Sequence, residues 1–239
     1  MSEGEDVAVP VRVVSYNIRS LRDDPEAVAR VVRALRPDVL CLQEVPRFAS
    51  WWWQRRRLAR ACGMRIAAGR RACGLAVFTA PRVRRVARRF HLLSREPGLH
   101  RRGLAVAVLR VDGLPLIAAS THLDLADEPR LRHVGEVLAL LERAGARYRA
   151  PVVLTGDINE EPDGPAWGRL AARFQDAHAV APEGDALTFS AARPDRRIDG
   201  VFADRAVRVL GCGVPTDPDL LADYPGATDH RPVLARLEL

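Results

Sequence analysis

Short apolar runs that each break off at an amide, carboxylate or imidazole side chain set the tightest limit on how this chain can fold. Val11–Ile18 carries Asn17 near its end, Asp38–Val45 turns polar at Gln43-Glu44, and Leu116–His122 finishes on Thr121-His122. Val152–Thr155 stops on Gly156, with Asp157 and Asn159 just beyond; Asp199 interrupts Ile198–Phe202, and Asp229-His230 precedes Pro232–Leu237. Short, nearly continuous apolar runs read as buried strands. Polar side chains at successive strand ends converge when those strands lie side by side, and that rim is where α/β proteins place ligands.

The segments between these runs are longer and amphipathic. Asp24 reads as a helix N-cap with Pro25 at the first helical position, and Val28, Val31, Val32 and Leu35 give the helix one apolar stripe before Pro37 stops it. Ser50–Cys62 and Glu128–Ala144 are expected helices, and a shorter one is expected around Ala166–Phe174 after the Pro/Gly-rich loop Glu160–Pro165. Ile66–Ala68, Gly74–Thr79 and Val83–Ala87 suggest consecutive strands of one antiparallel stretch. Leu104–Val111 and Leu116–His122 suggest a hairpin turning at Asp112-Gly113. Val207–Leu210 and Pro232–Leu237 complete the strands of an α/β chain. At 239 residues, without repeat or linker, one domain over 10–239 is expected, following a flexible N-terminus, Met1–Val9.

The net charge of +7 invites a polyanion partner, but all 37 basic residues are Arg, a pattern that coding bias also produces. Charge therefore permits nucleic acid without identifying it. The four cysteines lack metal-site spacing, and Cys41 and Cys73 read as small buried hydrophobes. Neither a secretory leader nor a bilayer-length apolar run is expected from the sequence, so a reduced, cytoplasmic monomer without membrane insertion is expected.

Collected at one rim, these polar residues have a chemical purpose. Carboxylate and amide oxygens suit Mg²⁺ or Mn²⁺, while histidines move protons or contact phosphate. Burying several carboxylates without a cation would cost several kcal/mol each, which a bound divalent ion offsets.

Six short motifs then carry a resemblance. Tyr16-Asn17-Ile18, Gln43-Glu44-Val45, Ser120-Thr121-His122, Gly156-Asp157-Ile158-Asn159, Arg197-Ile198-Asp199 and Thr228-Asp229-His230-Arg231-Pro232 occur in that order. The chain thereby resembles the endonuclease/exonuclease/phosphatase superfamily, which includes pancreatic deoxyribonuclease, abasic-site endonucleases, bacterial sphingomyelinases, inositol polyphosphate 5-phosphatases and deadenylases. The resemblance implies a four-layer α/β sandwich, two mixed, mainly antiparallel sheets face to face with helices outside. It implies metal ligation by Glu44, Asn17 and Asp229, with Mg²⁺ or Mn²⁺ stabilising charge on the phosphoryl group. Asp157 would orient and deprotonate the attacking water, and Asn159 would hold that water or the phosphate. His230, paired with Asp199, would act as base or as phosphate-polarising cation, and His122 would contact the phosphate and protonate the leaving oxygen. His91, His100, His133 and His178 have no such company and read as structural.

Two departures from the family pattern stand out. Gly74-Leu75-Ala76-Val77 occupies a segment where the family often has Asn, and Gly200 follows Asp199 where an aromatic or His is usual, which would open space near His230. The chain is also short for the family, which suits an open cleft. Trp51-Trp52-Trp53 with Arg55-Arg56-Arg57 reads as core packing, as a base-stacking platform or as an interfacial anchor, and Trp52, Arg56 and Arg102 are the substrate-binding candidates. The expected activity is that of a metal-dependent phosphodiesterase or nuclease. A phosphomonoesterase or lipid phosphohydrolase is the alternative, and a non-catalytic binding protein on this fold the third reading.

Overall fold

The computed structural model describes residues 8–239; most of the N-terminal segment expected to be flexible lies outside the described residues. Val9 is already anchored, exchanging backbone hydrogen bonds with Leu239.

Two six-stranded sheets form the centre. The first runs in the order β11 (Arg208–Gly213), β12 (Val233–Glu238), β1 (Pro10–Asn17), β2 (Val39–Gln43), β4 (Ala76–Thr79), β3 (Arg65–Gly69). The second runs β5 (Val83–Leu92), β6 (Gly103–Val111), β7 (Leu114–His122), β8 (Val152–Asp157), β10 (Asp199–Ala203), β9 (Gln175–Asp176). Each sheet holds one parallel pair, β1–β2 and β7–β8, and the other pairs are antiparallel. Parallel neighbours need a crossover, supplied by α1 (Pro25–Leu35) and α3 (Asp127–Tyr148).

The alternation of side chains along each strand builds the layers. Val11 and Val13 of β1 join Val39 and Cys41 of β2, Ala105 and Ala107 of β6, Ala118 of β7 and Val153 of β8 in the core between the sheets. Val14, Tyr16, Leu40 and Leu42 face the other way, under α1, α2 (Trp51–Ala61) and α6 (Pro218–Ala227). Val106, Ile117, Leu154 and Phe202 lie under α3 and α4 (Pro165–Arg173). The result is the expected four-layer sandwich, with α5 (Ala177–Val180) a single turn beside β9.

Local signals hold at most elements. Asp24 accepts from the Glu26 amide as the N-cap of α1, with Pro25 at the first position. Asp112 and Gly113, both at positive φ, turn the β6–β7 hairpin. Two expectations need correction, and one element was not expected. Strand β5 does not continue the β3–β4 stretch; it crosses to the edge of the second sheet and pairs with β6. Strand β2 ends at Gln43, because Glu44 adopts φ 49° and turns the chain out of the sheet. Helix α6 falls in a segment to which the sequence assigned no element; Pro218 opens the helix and Pro225 falls in its last turn.

Gly156 shows how closely β7 and β8 approach. A Cβ there would stand 2.6 Å from the Thr121 carbonyl oxygen and 2.9 Å from the Thr121 methyl. Gly156→Ala should therefore destabilise the fold by about 1–3 kcal/mol, the range for overpacking a filled interior. Urea unfolding checks this: an unchanged midpoint would show that the strands can part at no cost.

Candidate active site

On the faces turned towards the other sheet, the apolar layer gives way to polar residues at one end. Ser15 and Asn17 follow Val13 on β1, Gln43 follows Cys41 on β2, Ser120 and His122 follow Ala118 on β7, and Thr155 and Asp157 follow Val153 on β8. Strand register sets them side by side. Asn17 is opposite Gln43, and Asp157 is flanked by His122 on one side and Asp199 on the other. All six of these (Asn17, Gln43, His122, Asp157, Asp199 and the incoming His230) are buried.

The carboxylate of Asp157 is the hub. Its Oδ1 accepts from the Asn159 amide at 3.1 Å, which fixes the turn after β8. Its Oδ2 accepts from Asn17 Nδ2 of the other sheet at 2.9 Å. His122 Nε2 lies 3.5 Å and His230 Nε2 3.6 Å from that same oxygen. His230 is oriented from behind, its Nδ1 at 2.8 Å from Asp199 Oδ2 and its ring against Phe189 with centroids 4.9 Å apart. Asp199 is held in turn by its backbone amide, which donates to Thr188 Oγ1 at 3.2 Å.

The two histidines carry opposite charge tendencies. Burial opposes protonation of His230, yet the carboxylates of Asp199 and Asp157 outweigh it and raise its pKa to about 10. At His122 burial dominates, the Asp157 charge only partly offsets it, and nearby Arg102 adds to the depression, leaving a pKa of about 4. At neutral pH the site thus holds one cationic and one neutral imidazole.

These groups open into a cleft of about 470 Å³ lined by His122, Asp157, Asn159 and His230, with Glu44 on its wall and Arg22, Arg47, Arg101 and Arg102 among its other lining residues. Arg102 is buried and steered by Asp124, 3.4 Å from its Nε. Among the described residues the Glu44 carboxylate has no hydrogen-bond or ion-pair partner, although it lines a cleft lined by arginines. A hard, unpartnered carboxylate lining the same cleft as the Asp157 carboxyl, which Asn17 contacts, fits a hard divalent cation. Ligand atoms of Asp157, Asp199 and His230 also fall within 4.8 Å of one another. There, however, Nδ1 of His230 is already committed to Asp199, so that trio is better suited to holding a proton than an ion.

The sequence profile of the Endonuclease/Exonuclease/phosphatase family matches residues 14–230. The chain belongs to this family. Solved structures agree on the fold. A family protein from Bacteroides thetaiotaomicron superposes with a TM-score of 0.82 at 19% identity, covering 97% of this chain and 96% of that one. The mannosyl-6-phosphatase Bt3783 of the same organism gives 0.80 at 19%, covering 95% and 99%. ANGEL2, a 2′,3′-cyclic phosphatase solved with adenosine-2′,3′-vanadate, gives 0.75 at 16%, covering 97% and 96%. At these identities the likeness establishes the fold alone. A comparison with curated protein sequences found no match.

Within this family fold, the structure gathers most of the expected residues and separates others. His122, Asp157, Asn159, Asp199, His230 and Asn17 form one cluster, and Glu44 and Arg102 line the cleft above it. Asn159 donates one amide hydrogen to the Leu123 carbonyl, which leaves its remaining valences for a ligand. Asp229 stands apart: Arg19 Nε lies 3.3 Å from one of its oxygens and Thr228 Oγ1 donates to the other. Trp52 and Arg56 do not line the cleft; they face a separate groove along α2.

Three further readings are corrected. His100 lines the cleft, and so does Cys73, which is half-buried and not a core residue. Gly200 opens no space beside His230, because a Cβ there would meet Phe202 and Trp167 at 2.8 and 2.9 Å on the opposite face of the sheet. Phe189 and Thr188, which brace His230 and Asp199, come from an irregular loop with no periodic signal. Among the described residues no helix is long and apolar enough to cross a membrane.

Two titrations test this electrostatic picture. Asp199→Asn removes the charge that holds the His230 proton, so NMR titration should find the His230 pKa far below about 10, towards the ordinary 6.5; a value unmoved by the substitution would reject the coupling. Folded His122 stays neutral down to about pH 4, whereas the unfolded residue takes a proton near 6.5. Between these values the unfolded state binds more protons, so stability falls as pH falls. His122→Asn should lose less Tm than wild type between pH 7 and 4.5; equal losses would show that His122 protonates in place.

Proposed function

We propose that this chain is a metal-dependent phosphoester hydrolase, acting foremost as a phosphodiesterase or nuclease. The supporting observation is the Asp157 Oδ2 atom, set within 3.6 Å of Asn17 Nδ2, His122 Nε2 and His230 Nε2 at the base of an arginine-lined cleft.

Arg47, Arg101 and Arg102 draw the phosphate into the cleft, where bidentate guanidinium contacts suit its oxygens. Asp157 orients the attacking water and accepts its proton as the water oxygen bonds to phosphorus. The bond from phosphorus to the leaving oxygen breaks, and that oxygen takes its proton from solvent. His230, kept protonated by Asp199, holds a non-bridging oxygen as a cation, while neutral His122 donates a hydrogen bond to the phosphate. Asn17 keeps Asp157 aimed, and Asn159 fixes the water or a phosphate oxygen. Glu44 with Asn17 would hold Mg²⁺ or Mn²⁺, joined by Asp229 only if Arg19 yields it. Held there, such an ion would supply charge stabilisation on the phosphoryl group.

A phosphomonoesterase reading has its own support. The cleft's four arginines suit a dianionic terminal phosphate, and Bt3783, which shares the fold, is a mannosyl-6-phosphatase.

A substrate panel with Mg²⁺ or Mn²⁺ separates the two readings: single- and double-stranded DNA, RNA, a bis-aryl phosphodiester, sphingomyelin, inositol phosphates and sugar phosphates. Turnover of diesters with Glu44→Ala and His230→Ala each lowering kcat/KM by about 10³-fold or more is expected, the scale on which removing one electrostatic stabiliser slows a reaction. Faster turnover of monoesters would favour the second reading. Full activity in either variant, or no turnover and no metal binding by calorimetry, would reject both.

A further inference from the structure

A second groove, about 580 Å³ in volume, lies between α2 and the edge strand β5, outside the catalytic cleft. Five arginines line it, Arg55, Arg56 and Arg60 from the helix and Arg85 and Arg88 from the strand, with the indoles of Trp51 and Trp52 and no carboxylate. We infer that this groove binds a single-stranded polynucleotide, its exposed arginines, Arg56, Arg60, Arg85 and Arg88, holding the phosphates and Trp52 stacking on a base. Binding there stands independently of the catalytic reading.

Charge distribution is the first support. Some arginines elsewhere are matched to acids, as Arg30 is with Asp223, Arg82 with Asp38, Arg173 with Asp204 and Arg236 with Glu183, and others are not; this groove is set apart by five of them sharing one concavity that no acid lines. Within α2 itself, Arg57 points to α1 and pairs with Glu26. Among the described residues none of the five groove arginines has an acidic partner, so their charge is uncompensated. Arg55 forms the buried base of the groove, donating to the Pro46 and Arg70 carbonyls, and its Nη2 has no partner. Arg56, Arg60, Arg85 and Arg88 are exposed.

Local geometry is the second support. Arg85 and Arg88 are three residues apart, a spacing that puts side chains on opposite faces of a regular strand. A register shift between Arg85 and Ala87 absorbs one residue and lets both line the groove. Charges on an edge strand also discourage strand addition; that accounts for β5 but not for the arginines of α2. Trp52 remains 52% exposed although the Arg56 guanidinium covers its ring at 3.8 Å. A flat indole beside uncompensated guanidinia is the combination that binds unpaired bases and their backbone without sequence preference. A bilayer surface would need these side chains to project, whereas here they line a concavity. Arg47 and Phe48, in the loop before α2, line the cleft, and Trp51, the first residue of α2, lines the groove.

Fluorescence anisotropy of a labelled twelve-nucleotide oligothymidylate, with EDTA present so that nothing is cleaved, tests the inference. Arg60→Glu/Arg88→Glu should weaken binding at least tenfold and flatten its salt dependence, since each phosphate left without its arginine lowers the slope by about 0.7. Trp52→Ala should weaken it several-fold and Trp52→Phe should restore it. Arg143→Glu/Arg205→Glu, with the same net charge change elsewhere on the surface, should leave affinity within twofold. Equal losses in both double variants would reduce the effect to net charge and overturn the inference. So would unchanged binding in Arg60→Glu/Arg88→Glu, or a loss confined to phosphatidylserine vesicles. Thermal melting of each variant confirms that it is folded.

Discussion

The candidate site is organised around one hydrogen bond between the sheets, from Asn17 Nδ2 of β1 to Asp157 Oδ2 of β8. It spans 140 residues of sequence and sits where the apolar layer between the sheets ends. Behind it the polar transition is gradual: Gln43 Nε2 reaches Ser15 at 3.3 Å and Ser120 at 3.0 Å, so the two sheets are already exchanging hydrogen bonds one layer deeper. Such an arrangement demands that register be right in both sheets at once. A slip of one residue in β8 would turn Asp157 under α3 and bring an aliphatic side chain to the cleft. The core that fixes the register and the site that needs it are one continuous column of inward-facing positions.

The same column explains how two histidines near one carboxylate differ in charge. Both are buried, so desolvation acts on both against protonation. His230 has a dedicated carboxylate behind it in Asp199, whereas His122 has Arg102 nearby and shares only Asp157. Position in the sheets decides which imidazole receives the second acid: β10 lies next to β8 on the side away from β7, so Asp199 can reach the incoming His230 but not His122. Opposite pKa shifts within one small site therefore follow from strand order, with no difference in intrinsic chemistry.

Strand ends and helix starts were legible in the sequence because their causes are local. Asp24-Pro25, Asp112-Gly113 and the run into Gly156-Asp157 each carry their own backbone requirement. What stayed hidden depends on tertiary context. Assigning β5 to the second sheet needs knowledge of what lies beside it, since Val83–Ala87 reads equally well next to β4. Helix α6 contains two prolines whose effect depends on where in a helix they fall. Asp229 carries the right chemistry, but Arg19 reaches it from a tight left-handed turn, Arg19 to Leu21 all at positive φ, just after β1. His100 is a loop residue without pattern, placed at the cleft by the strands on either side of it.

Charge gives the sharpest instance of the same divide. A total of +7 carried by arginine alone has no location in the sequence, and in α2 four arginines occur within six residues, Arg55 to Arg60, with nothing to distinguish them. Folding divides them by helical angle. Arg57 turns to Glu26 and is neutralised, Arg55 is sunk against two carbonyl oxygens, and Arg56 and Arg60 are left towards a strand that brings more arginine and no acid. Part of the excess that composition leaves unplaced is thus gathered in one groove without an acid. The potential of that groove is set less by how many arginines the chain has than by which of them the sandwich leaves without a partner.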